Sequence, residues 1–108
     1  MIATPLPTVS GSKGTKPTLT FPDAEAPADL EIQVLDAGDG QIVEPGDTIV
    51  CNYLGQIWDG QVFDNSFDRG QPLSFQIGVG MVIRGWDEGL VGQRVGSRVL
   101  LSIPSELG

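Results

Sequence analysis

The sequence predicts an α+β domain in which an antiparallel sheet wraps one short helix. Two observations carry that expectation. Several segments alternate apolar and polar residues, the period of a half-buried strand, and only one stretch repeats its apolar residues at helical spacing. The alternating segments are Leu30-Glu31-Ile32-Gln33-Val34, Thr48 to Gly55, Leu73-Ser74-Phe75-Gln76-Ile77, and Ser97 to Ile103. In the second, Ile49, Cys51 and Tyr53 share a face, and in the last Val99, Leu101 and Ile103 do.

Turn chemistry separates these segments. Asp36-Ala37-Gly38-Asp39-Gly40 and Glu44-Pro45-Gly46-Asp47 supply residues that tolerate or preset turn backbone. Trp58-Asp59-Gly60-Gln61 is a hairpin signal, because Asp-Gly accepts the left-handed conformations a tight turn needs. The helix is expected from Ile83, Trp86 and Leu90 at i, i+3 and i+7, with Asp87 and Glu88 projecting away and Gly92 as a stop. Residues 1–29 are rich in Pro, Ser, Thr, Gly and Ala and show no sustained period. They are expected to form a flexible leader with an anchor at Leu19–Phe21, either solvated or binding a partner. The domain proper is expected over residues 30–108. No internal repeat is present.

Composition narrows the chemistry. The 108 residues contain no His, one Cys and 14 acids against 6 bases, for a net charge of −8. Without His, the commonest general base and metal ligand are absent, and no Ser or Cys can be activated as in a triad. One Cys allows neither an intramolecular disulfide nor a Cys-rich zinc site, and no metal or other cofactor is expected. Nucleic acid requires a basic face, and an anionic membrane attracts basic segments, so neither is an expected partner. The first 20 residues are interrupted by Pro and Gly and lack a signal-peptide apolar run. No stretch reaches the roughly 20 apolar residues that span a bilayer. A cytoplasmic protein is expected.

Several motifs fail on inspection. Gly78-Val79-Gly80 follows a strand and precedes the helix, yet Ile83 stands at the third glycine of a dinucleotide fingerprint and Leu101-Ser102 where its acid would be. Neither lysine belongs to a P-loop. Asp36 and Asp39 lack the rest of a calcium loop. Asp64 and Asp68 could pair for hydrolysis, but Arg69 beside them makes a loop ion pair the simpler reading.

What remains is a set of large apolar residues around one carboxylate: Tyr53, Phe63, Asp64, Arg69, Leu73, Phe75, Val82, Ile83 and Trp86. Periodicity alone favours Phe63, Phe75 and Trp86 as core. Their order says more. Gly46-Asp47-Thr48, Tyr53 and Gly55 are followed by Gly60, Val62-Phe63-Asp64 and Ser66. Then come Gly78, Val82-Ile83-Arg84-Gly85-Trp86-Asp87-Glu88-Gly89, Val95-Gly96, Arg98 and Ile103-Pro104. Over residues 30–108 this pattern strongly resembles the FK506-binding-protein family of peptidyl-prolyl cis/trans isomerases.

The resemblance implies a half-barrel sheet around a short helix with an apolar pocket between them. It implies Trp86 as pocket floor, with Tyr53, Phe63, Leu73, Val82 and Ile83 as walls. The Ile83 backbone N–H would hold a substrate carbonyl. Asp64 would be the polar group near the twisting bond, oriented by Tyr53 and Arg69. The catalytic set is therefore Asp64, Tyr53, Phe63, Ile83 and Trp86, with Arg69, Leu73 and Val82 added for substrate binding. Leu73 replaces an aromatic common in the family, which should alter preference for the residue before proline. Implied partners are proline-containing polypeptides during protein folding, and macrolides of the FK506 and rapamycin type.

After Ile103-Pro104 the family continues through a substrate-binding tyrosine, a pocket-lining loop and a final strand. The sequence ending at Gly108 is expected to lack them, leaving the domain truncated and its C-terminal strand missing. Three readings stay open: an isomerase, a non-catalytic module binding proline peptides or macrolides, and an incomplete domain that self-associates through its exposed sheet.

Overall fold

A computed structural model describes residues 6–12 and 14–108. Residues 1–5 and Lys13, which belong to the expected leader, lie outside the described residues. The element order is β1 (Thr8–Ser10), β2 (Thr18–Thr20), β3 (Glu31–Asp36), β4 (Thr48–Cys51), β5 (Leu54–Gln56), β6 (Val62–Asn65), α1 (Ser66–Arg69), β7 (Leu73–Gln76), α2 (Arg84–Leu90) and β8 (Arg98–Ser102), then a 3-10 turn at Ser105–Leu107. Among the described residues the strands form two-stranded ladders, β1–β2, β3–β8, β4–β7 and β5–β6, with no closed barrel. The antiparallel α+β class expected from alternation and one short helix is what is found. No described helix is long and apolar enough to cross a membrane.

The chain divides into two compact units. The first comprises the described residues up to Ala26 together with Val50–Ser74. Here β5 and β6 form the hairpin that Asp-Gly predicts, with Leu54 opposite Asn65 and Gly55 opposite Asp64. Asp59 takes the left-handed backbone the turn requires, at φ 52°. The strand β6 runs directly into the single-turn helix α1. Asn65 makes that switch: its backbone is extended, while its side chain accepts from the Asp68 N–H at 2.8 Å.

This unit also holds part of the expected leader. Within that stretch Thr8–Ser10 and Thr18–Thr20 pair antiparallel, with Val9 opposite Leu19. The Phe21 ring lies edge-on to Trp58, centroids 5.3 Å apart. Two three-residue strands fall below the length at which alternation registers as a pattern, so composition alone read the segment as irregular.

The second unit, Pro27–Ile49 with Phe75–Gly108, carries the apolar core. Val43, Phe75 and Ile77 are buried, Ile77 completely. The strand β3 pairs with β8, Ile32 opposite Leu101 and Val34 opposite Val99, with an irregularity between Val34 and Asp36. Alternation assigned Ile32 and Val34 to one face, and pairing keeps them there, yet they remain 43% and 46% exposed. Helix α2 packs against β8 through glycines four residues apart. A Cβ on Gly85 would lie 2.5 Å from Ile103 Cγ2, and one on Gly89 would lie 2.9 Å from Leu101 Cδ2. Only residues without a side chain permit so close an approach.

Candidate functional site

The expected site residues fall into two groups, one in each unit. In the first unit Tyr53, Asp64 and Arg69 form a closed triangle. The Tyr53 hydroxyl donates to Asp64 Oδ2 at 2.5 Å, Arg69 Nη1 donates to Asp64 Oδ1 at 2.5 Å, and Arg69 Nη2 donates to the Tyr53 oxygen at 2.7 Å. The guanidinium also lies 5.5 Å from the Tyr53 ring centroid.

Local structure explains why three residues 16 positions apart meet. Tyr53 N–H donates to Ser66 Oγ at 2.8 Å, and Ser66 N–H donates back to the Tyr53 carbonyl at 2.9 Å. Ser66 is fully buried and also donates to Asn52 Oδ1 at 3.1 Å. The register places Asp64 at the end of β6, and the capped turn α1 brings Arg69 back over it.

The triangle fixes charge. The hydrogen bond from Tyr53, reinforced by Arg69, holds the Asp64 carboxyl below its usual range, so it is ionised at neutral pH. The same contacts, Tyr53 first and Asp64 next, push the Arg69 guanidinium up. Asp68 does not join Asp64. It binds Lys16 Nζ at 3.0 Å and accepts from Asn65 Nδ2 at 3.0 Å, which dissolves the carboxylate-pair reading. Phe63 lies over Gly55 and is 69% exposed, while Leu73 is half-buried. The half-buried thiol of Cys51 is pushed up to about 11 by burial, which removes thiolate chemistry at neutral pH.

In the second unit the site is apolar. Trp86, on α2, lies 5.4 Å from the buried Phe75 ring at a tilt of 41°. Val82 is half-buried and Ile83, just ahead of the helix, is 43% exposed. The Ile83 carbonyl is used by the helix, accepting from Trp86 N–H at 3.0 Å. Its own N–H meets no acceptor among the described residues.

One residue that pattern reading set aside matters here. Asp87 does not merely face solvent: its carboxylate accepts from Gly78 N–H at 2.7 Å and from Gly80 N–H at 3.0 Å. Both glycines have left-handed backbone, φ 79° and 80°, the conformation glycine adopts without strain. The segment leading to Val82 and Ile83 is thereby tied to the helix bearing Trp86. An acid in the first turn of a helix preceded by Gly-x-Gly is the local signal that would have shown it. Among the described residues no cluster of His, Cys, Asp and Glu could hold a metal ion.

The family described as FKBP-type peptidyl-prolyl cis-trans isomerase matches residues 40–108. The FK506-binding protein of Streptomyces anulatus is 46% identical over 93 residues, covering 85% of this chain and 75% of that protein. The peptidyl-prolyl cis-trans isomerase FKBP15-2 of Arabidopsis thaliana is 54% identical over 63 residues, 58% of this chain and 39% of that protein. The chain thus spans less than half of this second relative. Among solved structures, the crystal structure of AtFKBP13 superposes with a TM-score of 0.70 at 38% identity, covering 77% of this chain and 71% of that one. This chain belongs to the FKBP-type peptidyl-prolyl cis-trans isomerase family.

Proposed function

We propose that this chain accelerates rotation about X–Pro peptide bonds in client polypeptides, and that it does so without proton transfer or covalent chemistry. One observation carries the reading: the only carboxylate in the expected catalytic set is locked ionised between a phenol and a guanidinium. A carboxylate held that way is a poor base. The chain has no His, and burial pushes the Cys51 thiol up, so neither an imidazole nor a thiolate serves as a base near neutrality.

Prolyl rotation needs no such group. The barrier of about 18–20 kcal/mol comes from amide resonance, and uncatalysed exchange takes tens to hundreds of seconds. The twisted amide has less charge separation than the planar one, so an apolar surface favours it over the ground state. In this reading Trp86 offers its face to the proline ring with Val82 near it in the chain, and the family resemblance adds Leu73 as a substrate-binding residue. The Ile83 N–H, without an acceptor among the described residues, binds a substrate carbonyl and fixes one side of the bond while the other turns. The family resemblance adds Phe63 as an apolar contact and Asp64 as a fixed negative charge, the latter held by Tyr53 and Arg69. Clients are proline-containing polypeptides in folding, and macrolides of the FK506 type would compete for the same surface.

A protease-coupled proline-peptide assay tests this. Wild type should exceed the uncatalysed rate, and Phe63→Ala and Trp86→Ala should each lose about tenfold or more in kcat/KM, roughly 1.4 kcal/mol of transition-state binding. Peptide binding with no rate enhancement would overturn the proposal, as would equal activity in all three proteins.

A further inference from the structure

The stretch from Trp58 to Arg69 carries Phe63, Asp64 and Arg69, and the N-terminal segment grips it at both ends. At one end lies the turn between β5 and β6. There Trp58 Nε1 donates to the Ala24 carbonyl at 3.1 Å, and the Phe21 ring packs edge-on at 5.3 Å. At the other end lies α1, where Lys16 Nζ donates to both Asp68 oxygens, at 3.0 and 3.1 Å.

These contacts are well placed to act on the site. Asp68 precedes Arg69 directly and is bonded in two directions to Asn65, which follows Asp64 directly. Asp68 N–H donates to Asn65 Oδ1 at 2.8 Å, and Asn65 Nδ2 donates to Asp68 Oδ2 at 3.0 Å. Asn65 is buried. A shift of Asp68 is therefore passed to both neighbours of the Tyr53–Asp64–Arg69 triangle through bonds a buried residue cannot remake with water. Lys16 satisfies the carboxylate that makes this turn, and Phe21 with Ala24 fixes the opposite end. A solvated leader would make neither contact.

We propose that residues 16–24 are a brace for the catalytic stretch, with Lys16 acting through Asp68 as a positioning residue for Asp64 and Arg69. The inference rests on the isomerase reading, and its test separates the two. In the full chain, Lys16→Ala, Lys16→Arg and Phe21→Ala are compared in the coupled assay. The Arg69 Nε–H and Trp58 Nε1–H resonances are followed by NMR in the same proteins. Lys16→Ala should lower kcat by about two- to fivefold, the range an exposed ion pair can carry, with KM unchanged. Lys16→Arg should restore kcat, and Phe21→Ala should move the Trp58 resonance. Unchanged kcat in Lys16→Ala, or failure of Lys16→Arg to restore it, overturns the brace while leaving the isomerase reading intact. If wild type itself proves inactive, the isomerase reading falls. The resonances then decide the brace: an Arg69 shift in Lys16→Ala that Lys16→Arg reverses supports it, and no shift in either variant overturns it.

Discussion

The unit that holds Tyr53, Asp64 and Arg69 and the unit that holds Phe75, Ile77 and Trp86 bury different kinds of side chain. Besides Pro7, the first buries Asn65 and Ser66, both polar and both hydrogen-bonded, and arranges ionised groups around them at the surface. The second buries Val43, Phe75 and Ile77, and brings its helix onto β8 by omitting side chains at Gly85 and Gly89. The difference matches the role proposed for each. A fixed charge must stay solvated enough to remain ionised, so it is held by directional bonds. An aromatic platform must stay dry, so it is held by packing.

Three experiments press on that contrast. The largest effect should come from the apolar unit. Ile77→Ala removes its one fully buried large apolar side chain. It should cost about 2–5 kcal/mol in denaturant unfolding, a large share of the roughly 5–15 kcal/mol that holds a typical domain. A loss below 1 kcal/mol would show that this unit does not depend on its core.

Next is the place where the apolar unit borrows the polar strategy. Asp87→Ala removes the acceptor of two backbone N–H groups. Because these bonds are partly exposed, the loss should be about 1–2 kcal/mol. It should appear chiefly as lower kcat/KM, since the segment released carries Val82 and Ile83. Full activity with lowered stability would place Asp87 outside the positioning of Ile83.

The last experiment concerns pH. The Cys51 thiol is raised from 9.0 to about 11 in the folded protein. Between those values the folded state binds more protons than the unfolded state, so the contribution of this thiol is intact below pH 9 and is lost as pH rises towards 11. Cys51→Ala should flatten that part of the curve, and an unchanged slope would show that the thiol is solvated. Asp64 and Asp68 behave in the opposite sense. Both are depressed in the folded state, so their contribution is present above the ordinary carboxylate range and is lost in acid.

Much of this was legible because it is local in the chain. The hairpin at Asp59-Gly60 and the helix at Ile83, Trp86 and Leu90 are short-range. What escaped was of two kinds. Lys16 reaches Asp68 across 52 positions, and no period or composition in a Pro- and Ser-rich stretch marks such a partner. Asp87 is close in sequence to its partners, but a helical wheel gives only the direction of a side chain and not the backbone that curls round to meet it.

Sequence by itself determined the class of fold, the hairpin at Asp59-Gly60 and the helix at Ile83, Trp86 and Leu90. These depend on residue types and on periods within a dozen positions. Tertiary structure decided which polar groups are paired. It closed the expected association of Asp64 with Tyr53 and Arg69 by direct hydrogen bonds while giving Asp68 to Lys16, left the Ile83 N–H without an acceptor among the described residues, and bound Asp87 to Gly78 and Gly80. Hydrogen bonds are directional over about 3 Å, and the spacing of residues along a chain does not encode such distances until the backbone has folded.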